Sequence, residues 1–230
     1  MGIDILKPEW GAMRPIRGIL FDMDGLVLDS EKLYTRFWME AIHYYGFTIT
    51  LEQALGLRSL GKGPGQAHLT ACCGEGIDYT TVRSKRIELM GAYVAQHGIA
   101  PKPGIYELMD YLQANNIPAA ITSSSPMDSI IRHLTNADLA HRFQKLCSGH
   151  EVPNGKPAPD IYLHGAAQLG LKPEECLALE DSPAGLLAAH RAGCLPVMIP
   201  DQDQPDEKTQ SLLYAKADSL TDIITLLETR

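Results

Sequence analysis

The sequence predicts an α/β fold: a parallel-sheet core with an all-α cap domain inserted after its first strand. Two observations carry that expectation. From residue 104 onward, short apolar strand-like runs alternate with helical ones, the arrangement that builds a parallel sheet with right-handed crossovers. Residues 31 to about 100 break the alternation, with helical periodicity and no convincing strand. The expected division is 1–29 and 101–230 for the α/β core and 30–100 for the helical cap.

Taken in order, residues 16–21, interrupted by Arg17 and Gly18, read as a short buried strand. Leu28-Asp29-Ser30 marks the exit into the cap. There Leu33, Phe37, Ala41, Tyr44 and Tyr45 share a helical stripe, Leu51–Leu55 reads as helical, and Ile87, Met90 and Val94 form a later stripe. Pro101 and Pro103-Gly104 mark the return, and two such crossings suit the hinge of a lid. Ile105, Leu108, Met109 and Leu112 predict a helix ended by Asn115-Asn116. A strand follows at 118–122, a helix around Ile130, Ile131 and Leu134, and a weaker strand at 145–148. Residues 161–169 predict a helix stopped by Gly170, and 177–180 a strand. Pro183–Ala192 predicts a helix stopped by Gly193, residues 195–199 the last clear strand, and 201–208 a polar loop. Such a core is Rossmann-like.

The 230 residues are 45% apolar, enough for a sizeable core, and the net charge is 20 − 28 = −8. An acidic chain without a basic run argues against a nucleic-acid partner, and a phosphorylated substrate would need a local basic patch against that field. No apolar run approaches the roughly 20 residues of a membrane span. Residues 1–15 lack the hydrophobic block of a signal peptide, and their role is not readable. Cys72, Cys73, Cys147, Cys176 and Cys194 are odd in number and lack zinc spacing, which suits reduced thiols in a cytosolic protein. The expectation is a cytoplasmic monomer that acts on a small molecule, with no nucleic acid or membrane as partner.

Chemistry gathers where the strands end. Phe21-Asp22-Met23-Asp24-Gly25 puts two carboxylates at the carboxyl edge of the sheet, where open α/β folds bind ligands. Two unpaired carboxylates there repel each other and call for a divalent cation. An ionised aspartate beside one can attack phosphorus without a base. By itself, such a pair is common in loops.

Three further segments reach the same edge. Thr122-Ser123-Ser124-Ser125-Pro126 suits a helix N-cap before a proline at the first helical position, and hydroxyls and N–H groups at a helix start bind phosphate oxygens. In Gly155-Lys156-Pro157-Ala158-Pro159-Asp160, a glycine and two prolines fix the backbone and aim the Lys156 ammonium. Glu180-Asp181-Ser182-Pro183 suits the dipole of the helix it opens, and could also supply further metal ligands.

These four segments, in this order, resemble the four motifs of the haloacid dehalogenase superfamily, specifically its β-phosphoglucomutase-like sugar-phosphate phosphatases with a helical cap. Asp22-x-Asp24-Gly25 resembles motif one, Ser123 motif two, Lys156 in Gly-Lys-Pro-x-Pro-Asp motif three, and Glu180-Asp181-Ser182 with Gly185 motif four. The resemblance runs from residue 17 through nearly the whole chain. It implies Asp22 as the in-line nucleophile that forms an aspartyl-phosphate and Asp24 as general acid, then base. It implies Gly25, Ser123, Ser124 and Lys156 at the phosphate. Mg²⁺ would be held by Asp22, the backbone carbonyl of Asp24 and Asp181, with Glu180 nearby or acting through water. The implied activity is Mg²⁺-dependent hydrolysis of a sugar or polyol phosphate, carried mainly by charge stabilisation.

In the cap, Gly56-Leu57-Arg58-Ser59-Leu60-Gly61-Lys62-Gly63 nearly spells a nucleotide P-loop. Gly63 stands where Ser or Thr would hold magnesium and no strand precedes it, so that match is rejected. The resemblance instead makes this the loop that lowers Arg58 toward substrate. Lys62, Lys85 and Arg86 are either solvated cap charges or helpers of Arg58. β-Phosphoglucomutases carry a histidine where this chain has Tyr34 and a lysine where it has Pro126. A mutase must hold two phosphates and resist water, so both departures favour hydrolysis over the alternative, a β-phosphoglucomutase. A dehalogenase has no use for the acid/base Asp24. A non-catalytic phosphate-binding module would be expected to have lost one of the four motifs, and all are present.

Overall fold

In a computed structural model, which describes residues 2–12, 15–58, 60–202 and 204–229, one seven-stranded sheet runs in the order β1-β7-β6-β5-β2-β3-β4. The strands are β1 (Ile3–Ile5), β2 (Gly18–Phe21), β3 (Ala119–Ser123), β4 (Lys145–Ser148), β5 (Cys176–Glu180), β6 (Leu195–Met198) and β7 (Ala215–Ala217). β1 pairs antiparallel with β7, and every other pairing is parallel. β2, β3, β5 and β6 are buried at every position, which is why they read as unbroken apolar runs.

Helices supply the crossovers that parallel strands require. They are α1 (Pro8–Ala12), α2 (Ser30–Tyr44), α3 (Leu51–Leu55), α4 (Lys62–Cys73), α5 (Tyr79–His97), α6 (Ile105–Ala114), α7 (Met127–Asn136), α8 (Asp160–Gln168), α9 (Pro183–Ala192), α10 (Glu207–Gln210) and α11 (Asp222–Glu228). Leu20, Ala120 and Ala178 of the sheet share a core cluster with Ile161, Tyr162 and Ala166 of α8 and Ala188 and Ala189 of α9. Because strand side chains alternate, Ile19, Phe21, Ile121, Leu177 and Leu179 face the other way, and they are equally buried. α8 lies close on the sheet: a Cβ at Gly165 would sit 2.6 Å from Thr122 Cγ2.

The chain divides into two compact units, Met1–Leu28 with Ala100–Arg230, and Asp29–Ile99. The second is helical, α2 to α5 around Trp38, Ala41, Ile42, Leu57, Leu69 and Val82. Of its expected apolar stripes, Phe37, Ala41, Met90 and Val94 are buried as expected, and three other members are exposed. Tyr44 and Tyr45 of the first helical segment are 64% and 39% exposed, and Trp38 and Ile42 take the inner face instead. On α5, Ile87 is 48% exposed, and the buried side chains are Tyr79, Val82, Arg86, Met90 and Val94. A cation thus occupies a slot in an otherwise apolar row.

Three further readings change. The strand at 195–199 is not the last, because β7 follows and carries β1 on its outer edge, which gives the N-terminal residues a place in the sheet. The expected polar loop at 201–208 ends in α10, whose N-cap Asp206 accepts the Thr209 N–H; Asp203 lies outside the described residues. Ser125 is not a helix N-cap, since Pro126 holds that position and α7 begins at Met127. Ser59 of the cap loop also lies outside the described residues.

Candidate active site

Three neighbouring strands, β5, β2 and β3, deliver the site from their carboxyl ends. The Asp22 N–H donates to Leu179 O at 3.0 Å, which carries the β2–β5 pairing one residue past the strand and fixes where Asp22 emerges. The chain then doubles back. Val27 N and Leu28 N both donate to Met23 O, Gly25 N donates to Leu28 O, and Gly25 has φ +86°. A side chain at 25 would be strained in that left-handed conformation. The turn buries Met23 and leaves Asp22 and Asp24 on either side of it.

Lys156 is the hub. Its Nζ lies 2.5 Å from Asp22 Oδ1 and 2.6 Å from Glu180 Oε1. Glu180 is fully buried, and its other oxygen accepts the Ser182 N–H at 3.3 Å and the Ser182 hydroxyl at 3.0 Å. The Tyr162 hydroxyl donates to Glu180 Oε1 at 2.5 Å. The fit admits no extra atom, because a Cβ at Gly185 would fall 1.8 Å from Glu180 Oε1. Both oxygens of Glu180 are therefore engaged, and its observed work is to seat Lys156.

The charges are unequal in comfort. Burial pushes the Asp22 carboxyl up to about 8 against the pull of Lys156, and Glu180 and Asp24 add repulsion. Burial also opposes the charge on Lys156, but Asp22 and Glu180 overcome it and hold the ammonium well above its ordinary value. The asymmetry has a simple cause. Lys156 sits between two carboxylates, whereas Asp22 faces one ammonium and two like charges. Ligand oxygens of Asp22, Glu180 and Asp181 lie within 4.8 Å of one another, all three residues buried. An oxygen-only set with one ammonium among several carboxylates fits a hard divalent cation.

On the β3 side, Ser123 is fully buried, and its hydroxyl accepts the Ser125 N–H at 3.1 Å. Ser124 is exposed. The Ser125 hydroxyl donates to Asp24 Oδ2 at 3.1 Å, while Ser148 holds the Ser125 carbonyl at 2.7 Å. Asp22, Lys156, Glu180 and Asp181 thus form one cluster, with Asp24 tied to it through the Asp22 turn and to β3 through Ser125. Arg58 is not among these residues. It belongs to the helical unit, where its Nε lies 3.3 Å from Glu31 Oε2.

Sequence reasoning missed Ser125 and Tyr162. Ser125 carried a signal, a third hydroxyl in Ser-Ser-Ser-Pro, but it was assigned to capping. Tyr162 carried none, since an aromatic at that spacing in α8 reads as core, and its ring is indeed core while its hydroxyl serves Glu180.

Comparison with known proteins agrees with this geometry. The family model described as haloacid dehalogenase-like hydrolase matches residues 16–193. The chain is 35% identical over 208 residues to the Drosophila melanogaster protein named "Probable pseudouridine-5'-phosphatase", covering 86% of this chain and 87% of that one. It is 28% identical over 225 residues to hexitol phosphatase B of Escherichia coli K12, covering 91% and 95%. Among solved structures, a HAD family hydrolase from Deinococcus radiodurans R1 with bound phosphate and sodium superposes with a TM-score of 0.79 at 25% identity, covering 93% of this chain and 96% of that one.

Proposed function

Because the chain belongs to the haloacid dehalogenase-like hydrolases, we propose that it is a Mg²⁺-dependent phosphatase acting on a small phosphomonoester, a sugar or polyol phosphate, through an aspartyl-phosphate on Asp22. The observation that carries this reading is Lys156 held between Asp22 and Glu180 at the edge of a buried carboxylate cluster. The hexitol phosphatase and the pseudouridine-5'-phosphatase named above support a leaving group rich in hydroxyls.

Asp22, Asp181 and the backbone carbonyl of Asp24 would hold Mg²⁺, with Glu180 acting at one remove because Lys156, Tyr162 and Ser182 engage both its oxygens. When bound, the cation supplies positive charge that restores the ionised form of Asp22 and neutralises phosphoryl oxygens. An Asp22 carboxylate oxygen attacks phosphorus in line with the departing ester oxygen. Asp24, oriented by the Ser125 hydroxyl, gives its proton to that oxygen. The ionised Asp24 then takes a proton from the water that attacks the aspartyl-phosphate, which releases inorganic phosphate and returns Asp22 as a carboxylate. Lys156 lowers repulsion between Asp22 and the anionic ester, and Gly25, Ser123 and Ser124 line the phosphoryl oxygens.

The helical unit is the proposed cap, with Arg58 as a contributor to substrate binding; the protein acts as a cytoplasmic monomer. Among the described residues no helix is long and apolar enough to cross a membrane. The test is release of phosphate from a panel of sugar, polyol and nucleotide monophosphates. Turnover is expected to need Mg²⁺ and to vanish with Asp22→Asn. Undiminished release by that variant, or release indifferent to EDTA, would sink the mechanism. Conversion of β-glucose 1-phosphate to glucose 6-phosphate faster than phosphate release would replace it with the mutase.

A further inference from the structure

Glu180 lies close enough to the candidate cation site to join it, yet its carboxylate is already engaged on both oxygens. One of those oxygens falls within 4.8 Å of ligand oxygens on Asp22 and Asp181. Oε1 accepts from Lys156 Nζ at 2.6 Å and from the Tyr162 hydroxyl at 2.5 Å. Oε2 accepts from the Ser182 N–H at 3.3 Å and from the Ser182 hydroxyl at 3.0 Å. A carboxylate offers about four lone-pair sites, and these donors fill them.

The donors have different reasons to be there. Lys156 is shared with Asp22 Oδ1, so it belongs to the phosphoryl site itself. Ser182 caps α9, its hydroxyl accepting the Gly185 N–H at 3.2 Å, so the helix fixes it in place. The Tyr162 ring is fully buried in the core cluster, 5.1 Å from Lys156 Nζ, and its hydroxyl reaches Glu180. Phenylalanine would fill the same core volume. What the hydroxyl adds is occupancy of one lone pair on Glu180.

That occupancy bears on which cation fits. Ca²⁺ takes about six to eight oxygens in a flexible shell, whereas Mg²⁺ demands a strict octahedron, keeps several waters and uses few protein ligands. A third carboxylate reaching the ion therefore favours Ca²⁺. We propose that Tyr162 is a positioning residue that reserves Glu180 for Lys156 and withholds it from the cation, which biases the site toward Mg²⁺ and against Ca²⁺. The assignment rests on the Mg²⁺ site of the phosphatase reading and deepens it, naming a residue outside the ligand set that decides which ion the set holds.

Calorimetric titration of the metal-free protein with MgCl₂ and with CaCl₂ gives a ratio of dissociation constants that needs no substrate. In Tyr162→Phe this ratio is expected to move toward Ca²⁺ by about fivefold or more, the worth of one hydrogen bond. Two further variants separate that shift from a general loosening of the fold. Tyr106→Phe removes another tyrosine hydroxyl, one that donates to Ala137 O and takes no part in the cluster, and should keep the wild-type ratio. In a Glu180→Gln background, adding Tyr162→Phe should move the ratio by less than about twofold. If that amide variant does not fold, Tyr162→Phe against Tyr106→Phe decides alone. An unchanged ratio in Tyr162→Phe, a shift toward Mg²⁺, an equal shift in Tyr106→Phe or a shift that persists with Glu180→Gln would overturn the proposal. A wild type that binds neither cation removes the Mg²⁺ site and the proposal with it. The expected shift in a protein that releases phosphate from no ester leaves Tyr162 its role and fails the phosphatase reading alone.

Discussion

Each of the two units buries a cation, and they treat it in opposite ways. In the sheet unit Lys156 has two carboxylates at hydrogen-bonding distance, one of them braced by Tyr162 and Ser182. In the helical unit Arg86 has two ring faces, a sulfur and no acid. The first arrangement is saturated, so Lys156 has one position and Asp22 is presented in one orientation, as a chemical step requires. The second leaves the buried Arg86 Nε without an acceptor. Removing Lys156 should therefore leave buried carboxylates uncompensated and destabilise the fold, whereas removing Arg86 should cost little stability.

The largest effect expected is on turnover. Asp22→Asn should reduce phosphate release by about 10⁴-fold or more, because it removes the nucleophile. In metal-free protein the same change should raise stability, and the sign follows from the raised pKa of Asp22. The folded carboxyl titrates at about 8 against an ordinary 3.8, so the folded state binds its proton more tightly than the unfolded chain does. Its contribution is most favourable below the unfolded value and is lost as pH rises toward 8. Denaturation in EDTA should therefore show wild-type stability declining over that window and a shallower decline in Asp22→Asn; parallel curves would mean that Asp22 is not the strained group.

Next comes the hub itself. Lys156→Met leaves Glu180 and Asp22 buried without their cation and should destabilise the fold by about 3–5 kcal/mol. Urea denaturation beside Arg86→Met puts the comparison directly at risk, since similar losses in the two variants would erase it. Gly185→Ala is smaller but still severe. Its Cβ would press on Glu180 at 1.8 Å and displace the carboxylate that seats Lys156, at a cost of about 2 kcal/mol or more, read by the shift in urea midpoint. Tyr162→Phe is the mildest, removing one of the donors to Glu180 for about 1 kcal/mol. A neutral result there would show that Lys156 and Ser182 brace Glu180 without it.

Legibility in the sequence followed the kind of interaction. The central strands were readable because both of their faces are buried, which makes them continuous apolar runs bounded by Gly, Pro and acidic residues. β1 and β7 escaped notice because three-residue strands such as Ile3–Ile5 and Ala215–Ala217 are too short for a pattern, and their pairing joins opposite ends of the chain. The stripes of α2 and α5 were right at Phe37, Ala41, Met90 and Val94 and wrong at Tyr44, Tyr45 and Ile87, for a related reason. Tyr44 and Ile87 fit a helical period as well as their buried neighbours do, and only the packing of α2 on α5 selects the face.

What the sequence determined by itself was which residue types stand where strands end: Asp22, Asp24, Lys156, Glu180 and Asp181, in an order that points to phosphoryl chemistry. That much is local, because a strand's end and the turn after it are written in adjacent residues. Only the tertiary structure decided the partnerships. Lys156 between Asp22 and Glu180, Ser125 on Asp24, Tyr162 beneath Glu180 and Arg86 between two rings all depend on strand order and helix rotation. Those are set by contacts between segments far apart in the chain, which no local pattern specifies.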